Sequence, residues 1–318
     1  MWRRGMFFSV LVLAGTLAFG QGDRANAPAA SPTAGATPPR PEAGRSVAST
    51  VSTTLSNEQI KQLIQKVAEN DIENDKKLRD YTYSEREEEH RLNGKGEIAS
   101  TETRNYDVLE IFGEQARRMV SKNDKPLSAK DAAKEEEKIQ KIIDKRKNES
   151  NSDREKRLKK EEKDREEGRQ FVKEIADAYN FTQLDNETID GRDTYVIAAE
   201  PRPGFEAHRK EAKVLTKIRG KIWIDVAESQ WVKLDAETID TISFGLILAR
   251  LHKGTHIVTE QTRVNHEVWL PRHTAVHVDV RVALLKNFNV NLDVSDKDYK
   301  KFHTESKIVG MEEVKETR

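Results

Sequence analysis

Two neighbouring stretches decide the fold class: Ala275-Val276-His277-Val278-Asp279-Val280-Arg281-Val282 and Phe288-Asn289-Val290-Asn291-Leu292-Asp293-Val294. In both stretches an apolar residue alternates with a polar or small one. Successive side chains of a β-strand point to opposite faces, so this alternation predicts two strands with one apolar and one wet face. Such strands are typical of an antiparallel sheet, because the strands of a parallel doubly wound sheet are buried on both faces.

Similar strand-like segments precede these two, and residues that favour tight turns separate most of them. Asn93-Gly94-Lys95-Gly96 and Asp190-Gly191 each join two such segments. Because these residues accept a positive φ, they predict β-hairpins. Pro201 and Pro203 end the second hairpin, since proline cannot donate to the ladder. We predict strands at 81–92, 97–112, 115–121, 181–189, 194–200, 217–225, 231–238, 243–252, 256–264, 267–270, 275–285 and 288–294.

One amphipathic helix precedes the strands. Ser56 and Gln59 form a capping-box pattern, and apolar residues then recur at three- and four-residue spacing up to Ile72. This pattern predicts a helix at 56–78 with one face in the core. So many antiparallel strands with so few helices must curl to bury their apolar face. We therefore expect an α+β protein, mainly antiparallel β, whose strongly curved sheet or half-barrel encloses this helix.

A highly charged segment at 128–169 interrupts the strands, with 15 basic and 13 acidic residues. We predict two solvated helices supported by ion pairs four residues apart. Ser152 or Asp153 would cap the second, at about 152–180. A coiled-coil arm for a protein partner is the alternative, although sustained heptads are missing. The apolar end of the second helix is predicted to dock on the core through Phe171, Val172, Ile175, Ala176 and Tyr179.

The first twenty residues have the organisation of a secretory signal. Arg3 and Arg4 precede an apolar run that is too short to favour a stable transmembrane anchor. The next segment is rich in Pro, Ala, Ser and Thr, which predicts a disordered tether. We expect export to the periplasm or the cell exterior. The predicted organisation is a signal peptide at 1–20, the tether at 21–55, one domain at 56–302 and a flexible tail at 303–318.

Composition excludes several classes of function. The chain has no cysteine, which excludes disulfides, thiol catalysis and thiolate metal sites. Lys and Arg together number 55, as do Asp and Glu, and the two signs are interleaved. A nucleic-acid-binding protein normally carries a basic excess on one face, so we predict no nucleic-acid partner.

The sequence contains no motif for catalysis or cofactor binding, such as a nucleophile elbow, a glycine-rich phosphate loop or a paired-histidine zinc motif. Asp225, Asp235, Glu237 and Asp240 lie on neighbouring predicted strands and are the remaining acid–base candidates. With 55 acidic residues in the chain, such neighbours are routine. We therefore predict a non-enzymatic protein without catalytic residues and without a cofactor.

Four histidines are candidates for metal binding. His252 and His256 flank a Lys-Gly turn, and His273 and His277 lie four residues apart around the start of a strand. Converging imidazoles would suit zinc or copper. Exposed polar positions on the outer faces of strands are the simpler explanation, because His277 alternates with valines. We predict no metal site.

Three stretches taken together resemble a known family: Gly191-Arg192-Asp193-Thr194-Tyr195-Val196-Ile197, Gly220-Lys221-Ile222-Trp223-Ile224-Asp225 and Val268-Trp269-Leu270-Pro271. In this order they are similar to exported bacterial proteins of the outer-membrane lipoprotein-sorting type, the LolA-like superfamily. The resemblance covers 56–302 and is interrupted by the charged insert. It implies a half-open antiparallel β-barrel that is closed by helices and has an apolar cavity for acyl chains.

These observations predict an exported binding protein that holds a lipid or a lipoprotein acyl chain by burial, without bond chemistry. The predicted binding residues share the apolar side of the sheet. They are Ile222, Ile224, Val276, Val278, Val280, Phe288 and Val290. The alternative is a cell-envelope scaffold that recruits a protein partner through the helices at 128–169.

Overall fold

The computed structural model describes residues 54–112, 114–209, 211–244, 249–282 and 286–302. The predicted signal peptide, nearly all of the predicted tether and the predicted tail lie outside these ranges. None of the helices within them is long and apolar enough to span a membrane.

The helices are α1 (Asn57–Leu78), α2 (Ala129–Lys147) and α3 (Asn151–Ala178), with a 3-10 helix at Glu211–Lys217. The strands are β1 (Tyr81–Leu92), β2 (Ile98–Ile111), β3 (Glu114–Lys122), β4 (Lys125–Pro126), β5 (Tyr179–Gln183), β6 (Glu187–Ile189), β7 (Arg192–Pro201), β8 (Ile218–Asp225), β9 (Trp231–Thr238), β10 (Ile242–Phe244), β11 (Ala249–Leu251), β12 (His256–Val264), β13 (Val268–Val282) and β14 (Lys286–Lys301).

All the strand pairs of the sheet are antiparallel within the described ranges. The main path runs β4-β3-β2-β1-β14-β13-β12-β9-β8-β7-β5. β6 pairs with β7, and the β10–β11 hairpin joins β13. β1 pairs with β14, so the first and last strands of the described part of the chain are neighbours in the sheet. The predicted α+β class with a large antiparallel sheet and an N-terminal helix is confirmed.

The helix α1 begins at the predicted capping box. The Ser56 Oγ accepts from the backbone N–H of Gln59 at 3.3 Å, and the Gln59 Oε1 accepts from the backbone N–H of Ser56 at 2.8 Å. The buried face of α1 packs on β7, β8 and β9. This contact consists of Ile60, Ile64 and Val67 against Ile197, Ile222, Ile224 and Trp231.

The charged segment does not form a free helical pair. Ile139 and Ile143 of α2 are buried against Ile111 and Ala116, so this helix lies on β2 and β3. In α3, most of the first twenty residues are exposed, and they span about 30 Å. The end of α3 is buried at the predicted positions Phe171 and Ala176, and Tyr179 is buried at the start of β5. The side chain of Val172 lies outside the described part.

The cap predicted for the second charged helix was wrong. Ser150, not Ser152 or Asp153, is the N-cap of α3, and its Oγ accepts from the backbone N–H of Asp153 at 3.1 Å. The Ser150 hydroxyl in turn donates to the Asp153 carboxylate at 2.8 Å. Asp153 therefore lies in the first turn, where the helix dipole favours a negative charge.

The strand predicted at 243–252 was also wrong, because β10 and β11 pair with each other and the chain reverses between them. The predicted break at Pro271 was wrong as well, since β13 continues through it. Pro271 pairs with Gln261 beside a β-bulge, and pairing with β14 starts only at His273, so the strand tolerates a missing N–H here.

Candidate functional site

An apolar cavity of about 130 Å³ lies between the sheet and two helices. Ile64, Val67 and Ala68 of α1 form one wall, and Phe171 and Ile175 near the end of α3 form another. Strand residues form the floor. The rest of the lining comprises Tyr179, Phe181, Ala199, Leu215, Ile218, Arg219, Gly220, Lys221, Ile222, Leu234, Ala236, Glu237, Thr238, Leu251, Thr255 and Ile257.

A row of three small residues crosses the floor of this cavity. Ala199 lies directly opposite Gly220, and Gly220 lies directly opposite Ala236, on β7, β8 and β9. Larger residues, Ile218 and Ile222, flank the row along β8. The small row thus leaves unfilled the volume that larger side chains would take in a close-packed core.

Gly220 is the tightest position of the row. A Cβ atom added there would lie 2.4 Å from the backbone oxygen of Asp235 and 3.3 Å from the Cβ of Ala236. Because the first of these contacts is with backbone, a side chain at Gly220 cannot be accommodated without moving β9. The close approach of β8 and β9 therefore requires glycine at this position.

Polar groups are few at the cavity and most of them are paired. Arg219 donates to the Glu237 carboxylate through its Nε at 2.6 Å. Tyr179 also lines the cavity, and burial raises the pKa of its hydroxyl above the ordinary value. Such a wall offers burial rather than charge to a ligand, which favours an apolar group as the occupant.

Polar contacts fasten the second half of α1 to the loops at one end of the sheet. The Trp231 Nε1 donates to the Asp71 Oδ1 at 2.8 Å, and the Asn70 Nδ2 donates to the backbone oxygen of Ser229 at 2.8 Å. The Asn74 Oδ1 accepts from the backbone N–H of Trp269 at 3.3 Å. The preceding turns of α1, over the cavity, are held by apolar side chains. α1 therefore has a polar anchor in its second half and an apolar half before it, with one further hydrogen bond at its start, from the backbone N–H of Leu55 to the Gln183 Oε1 at 2.7 Å.

The predicted binding residues separate into three groups. Ile222 borders the cavity. Ile224 is buried beneath α1, and Val276 and Val278 are buried in the core that includes the end of α3. Val280, Phe288 and Val290 lie on the paired strands β13 and β14. Val290 is buried opposite Val278, and Val280 lies opposite Phe288. The side chains of Val280 and Phe288 are outside the described part.

Sequence reasoning did not identify the small row or the helix residues of the cavity. Alanine and glycine carry no apolar pattern, so an analysis of alternation passes over them. The signal that could have found them is the shared position of Ala199, Gly220 and Ala236 in the ladder. That signal requires the register of β7, β8 and β9, which the turns between these strands do not specify by themselves.

Comparisons with known proteins give similarity to solved structures only, since no family model and no curated protein matches the chain. The chain is similar to lipoprotein-sorting-type and LolA superfamily structures. One is a domain from Vibrio parahaemolyticus named for outer-membrane lipoprotein sorting, with 13% identity, 74% of this chain and 92% of that chain covered and a TM-score of 0.29. A DUF1329 family protein from Desulfovibrio piger has 11% identity, coverage of 76% and 92% and a TM-score of 0.29. A LolA superfamily protein from Nitrosomonas europaea has 10% identity, coverage of 76% and 93% and a TM-score of 0.26. The resemblance inferred from the sequence motifs is confirmed as a structural similarity.

The carboxylates considered for acid–base chemistry each have a partner. Asp225 is buried and accepts two hydrogen bonds from the Arg192 guanidinium, at 2.6 and 3.0 Å. Asp235 is 2.7 Å from the His256 Nε2. Glu237 pairs with Arg219, as above, and Asp240 lies 3.0 Å from the Lys217 Nζ. These pairs join neighbouring strands or turns, which gives each carboxylate a structural role.

The four candidate histidines do not converge on one point. His256 lies directly opposite His277 on β12 and β13, but His273 lies opposite Glu260, four residues further along the ladder. His252 precedes β12 in a turn. Across the described ranges, no three His, Asp or Glu side chains are placed to hold a metal ion together.

Proposed function

We propose that this protein is an exported binding protein that takes an apolar group, such as part of a lipid acyl chain, into the cavity between α1, the end of α3 and the sheet. The observation that carries this proposal is the largely apolar cavity above the row Ala199, Gly220 and Ala236. The predicted signal at 1–20 supports a periplasmic or extracellular location.

The size of the cavity sets what it holds. A cavity of about 130 Å³ is comparable to an engineered apolar cavity of about 150 Å³ that binds benzene. One ring or a short run of methylene groups therefore fits the described conformation. A whole acyl chain requires the apolar half of α1 to move outward while its polar anchor at Asp71 holds. We propose that the sheet curls around α1 and α3, as in a half-barrel, so that this movement widens a groove.

The driving force for binding is the removal of apolar surface from water. Each buried methylene contributes about 0.8 kcal/mol, so a run of several methylenes binds without a specific polar contact. This mechanism uses no catalytic group and no cofactor. It also explains why the walls need only aliphatic and aromatic residues.

The proposal is tested by titrating the protein with a fluorescent fatty acid. Ala236→Leu places three more carbons on the cavity floor and is expected to reduce affinity at least tenfold. Ala275→Leu is the matched control, because Ala275 alternates with Val276 and so lies on the other face of the sheet. Equal uptake by both variants, or no uptake by the unmodified protein, would refute the proposal.

A second candidate function is favoured by the exposed charged part of α3. A rod of about 30 Å that carries both signs of charge is a surface on which an envelope protein partner can dock. Lys156, Lys159 and Lys160 are exposed there. Replacing all three by serine would abolish cross-linking to an envelope protein under this second function, whereas uptake of the fatty acid would be unaffected.

A further inference from the structure

The face of the sheet opposite the cavity, here called the outer face, carries a pair of histidines on adjacent strands. His256 of β12 lies directly opposite His277 of β13, and His277 is exposed. Side chains directly opposite each other in an antiparallel pair have Cβ atoms about 4.5–5.5 Å apart. Two imidazoles that start at this separation can reach the same ion, whose bonds to nitrogen are about 2.0–2.1 Å long.

Each of these rings is oriented by a polar neighbour through one nitrogen. A hydrogen bond of 2.7 Å joins the His256 Nε2 to the Asp235 Oδ1. A hydrogen bond of 2.6 Å joins the His277 Nδ1 to the Asn291 Oδ1. The oxygen partners favour the N–H form of these two nitrogens, so the lone pairs remain on the His256 Nδ1 and the His277 Nε2.

This arrangement is the one that metal-binding histidines use. A ligating imidazole almost always donates its other N–H to a carboxylate, a carbonyl or water, which fixes the tautomer and raises the basicity of the ligating nitrogen. Asp235 fills this role for His256, and Asn291 fills it for His277. The carboxylate of Asp235 also adds a negative charge close to the pair.

We propose that His256 and His277 form a two-imidazole site for a divalent late transition-metal ion on the outer face of the sheet. Because no third side chain of the described residues converges there, water completes the coordination. For nitrogen ligands the affinity rises along the first transition row to Cu²⁺ and then falls at Zn²⁺, so Cu²⁺ is the strongest binder. The site is separate from the apolar cavity and does not depend on the proposed function.

Two other histidines on the same face serve as matched controls. The His90 Nδ1 is 2.8 Å from the Thr101 Oγ1 and its Nε2 is 3.1 Å from Glu88, so both of its nitrogens are engaged. His273 bonds to Asp293 at 2.7 Å, but its neighbours across the strands are Glu260 and Ser295 rather than a second histidine. Neither has a second imidazole opposite it.

The test is a titration of the full chain with Cu²⁺ at neutral pH, followed by calorimetry and by electron paramagnetic resonance. We expect one ion per chain, with a spectrum that reports two nitrogen ligands. His256→Ala and His277→Ala should each weaken binding at least tenfold, while His90→Ala and His273→Ala should leave it unchanged. Asp235→Asn should weaken binding about 10- to 100-fold, because it removes the carboxylate behind His256.

Binding that is lost equally in all four histidine variants, or a spectrum with a single nitrogen ligand, would overturn the site. The absence of binding by the unmodified chain would overturn it as well.

Discussion

The indole N–H of Trp231 donates to the buried carboxyl group of Asp71 at 2.8 Å, and this bond joins α1 to the sheet. Asp71 follows Val67 and Ala68 by one turn of the helix, and both of those residues line the apolar cavity. The hydrogen bond therefore lies at the border between the polar anchor of α1 and its apolar half. Changes at Asp71 act on the element that covers the cavity.

Asp71 is predicted to make stability depend on pH. Burial raises the pKa of Asp71 from 3.8 to about 7, the neighbouring Asp75 raises it further, and hydrogen bonds from Trp231 and Gln261 oppose the shift. Between about pH 4 and pH 7 the unfolded chain has lost this proton while the folded chain keeps it. The free energy of unfolding therefore falls as the pH rises through this window, by about 1.4 kcal/mol for each pH unit.

Asp71→Asn should remove this dependence, because the amide oxygen still accepts from Trp231 but does not ionise. Chemical unfolding at a series of pH values should show that the variant is the more stable protein above pH 7 and loses its advantage near pH 4. Asp75→Asn is the control, since the side chain of Asp75 is 27% exposed and the titration of Asp71 persists. A constant difference between Asp71→Asn and the unmodified protein at all pH values would contradict the pKa of Asp71.

Gly220→Ala should be strongly destabilising although it adds a single methyl group. The new Cβ would lie 2.4 Å from the backbone oxygen of Asp235, so β8 and β9 would have to separate. Overpacking of this kind costs about 1–3 kcal/mol or more. Gly168→Ala in α3 is the matched control, because nothing lies within 4 Å of the added atom and alanine is about 1 kcal/mol better than glycine inside a helix. The two variants should thus shift the melting temperature in opposite directions.

Ser150→Ala should destabilise the start of α3 by about 1 kcal/mol, because it removes the acceptor for the backbone N–H of Asp153. Hydrogen exchange of the amides at 151–155 reports this local change directly. Ser152→Ala tests the cap that the sequence suggested and should leave exchange unchanged. Faster exchange in Ser152→Ala than in Ser150→Ala would contradict the cap assignment.

The elements were predictable from the sequence where a local rule acts alone. The capping box at Ser56 places the start of α1, and the bounds of β1, β9 and β12 are those predicted from the sequence. Prediction failed where the structure of a segment depends on strands that are distant in the sequence. Pro271 ends a strand by local rules, but the bulge at Arg272 and the late start of β14 pairing let β13 continue.

The cavity was less predictable than the sheet for the same reason. Ile222 was recognised because it is large and apolar, whereas Ala199 and Ala236 contribute by the volume that they leave free. Whether small residues coincide depends on the register of three strands. The docking of α2 on the sheet was missed for a similar reason. Ile139 and Ile143 are two of the few apolar residues in a highly charged helix, and their partners Ile111 and Ala116 lie on strands that are distant in sequence.

Enlarging the cavity should separate ligand affinity from stability. Val67 is 1% exposed and lines the cavity, so Val67→Ala removes two buried carbons and destabilises the fold by about 1–3 kcal/mol. The same change makes room for further methylene groups, and each one buried adds about 0.8 kcal/mol to binding. We therefore expect Val67→Ala to bind a fluorescent fatty acid more tightly than the unmodified protein while it unfolds at lower denaturant concentration.

Val196→Ala is the control, because Val196 is also 1% exposed but does not line the cavity, so it should lose stability without any gain in affinity. Equal affinities in the two variants would show that the ligand does not occupy the space next to Val67.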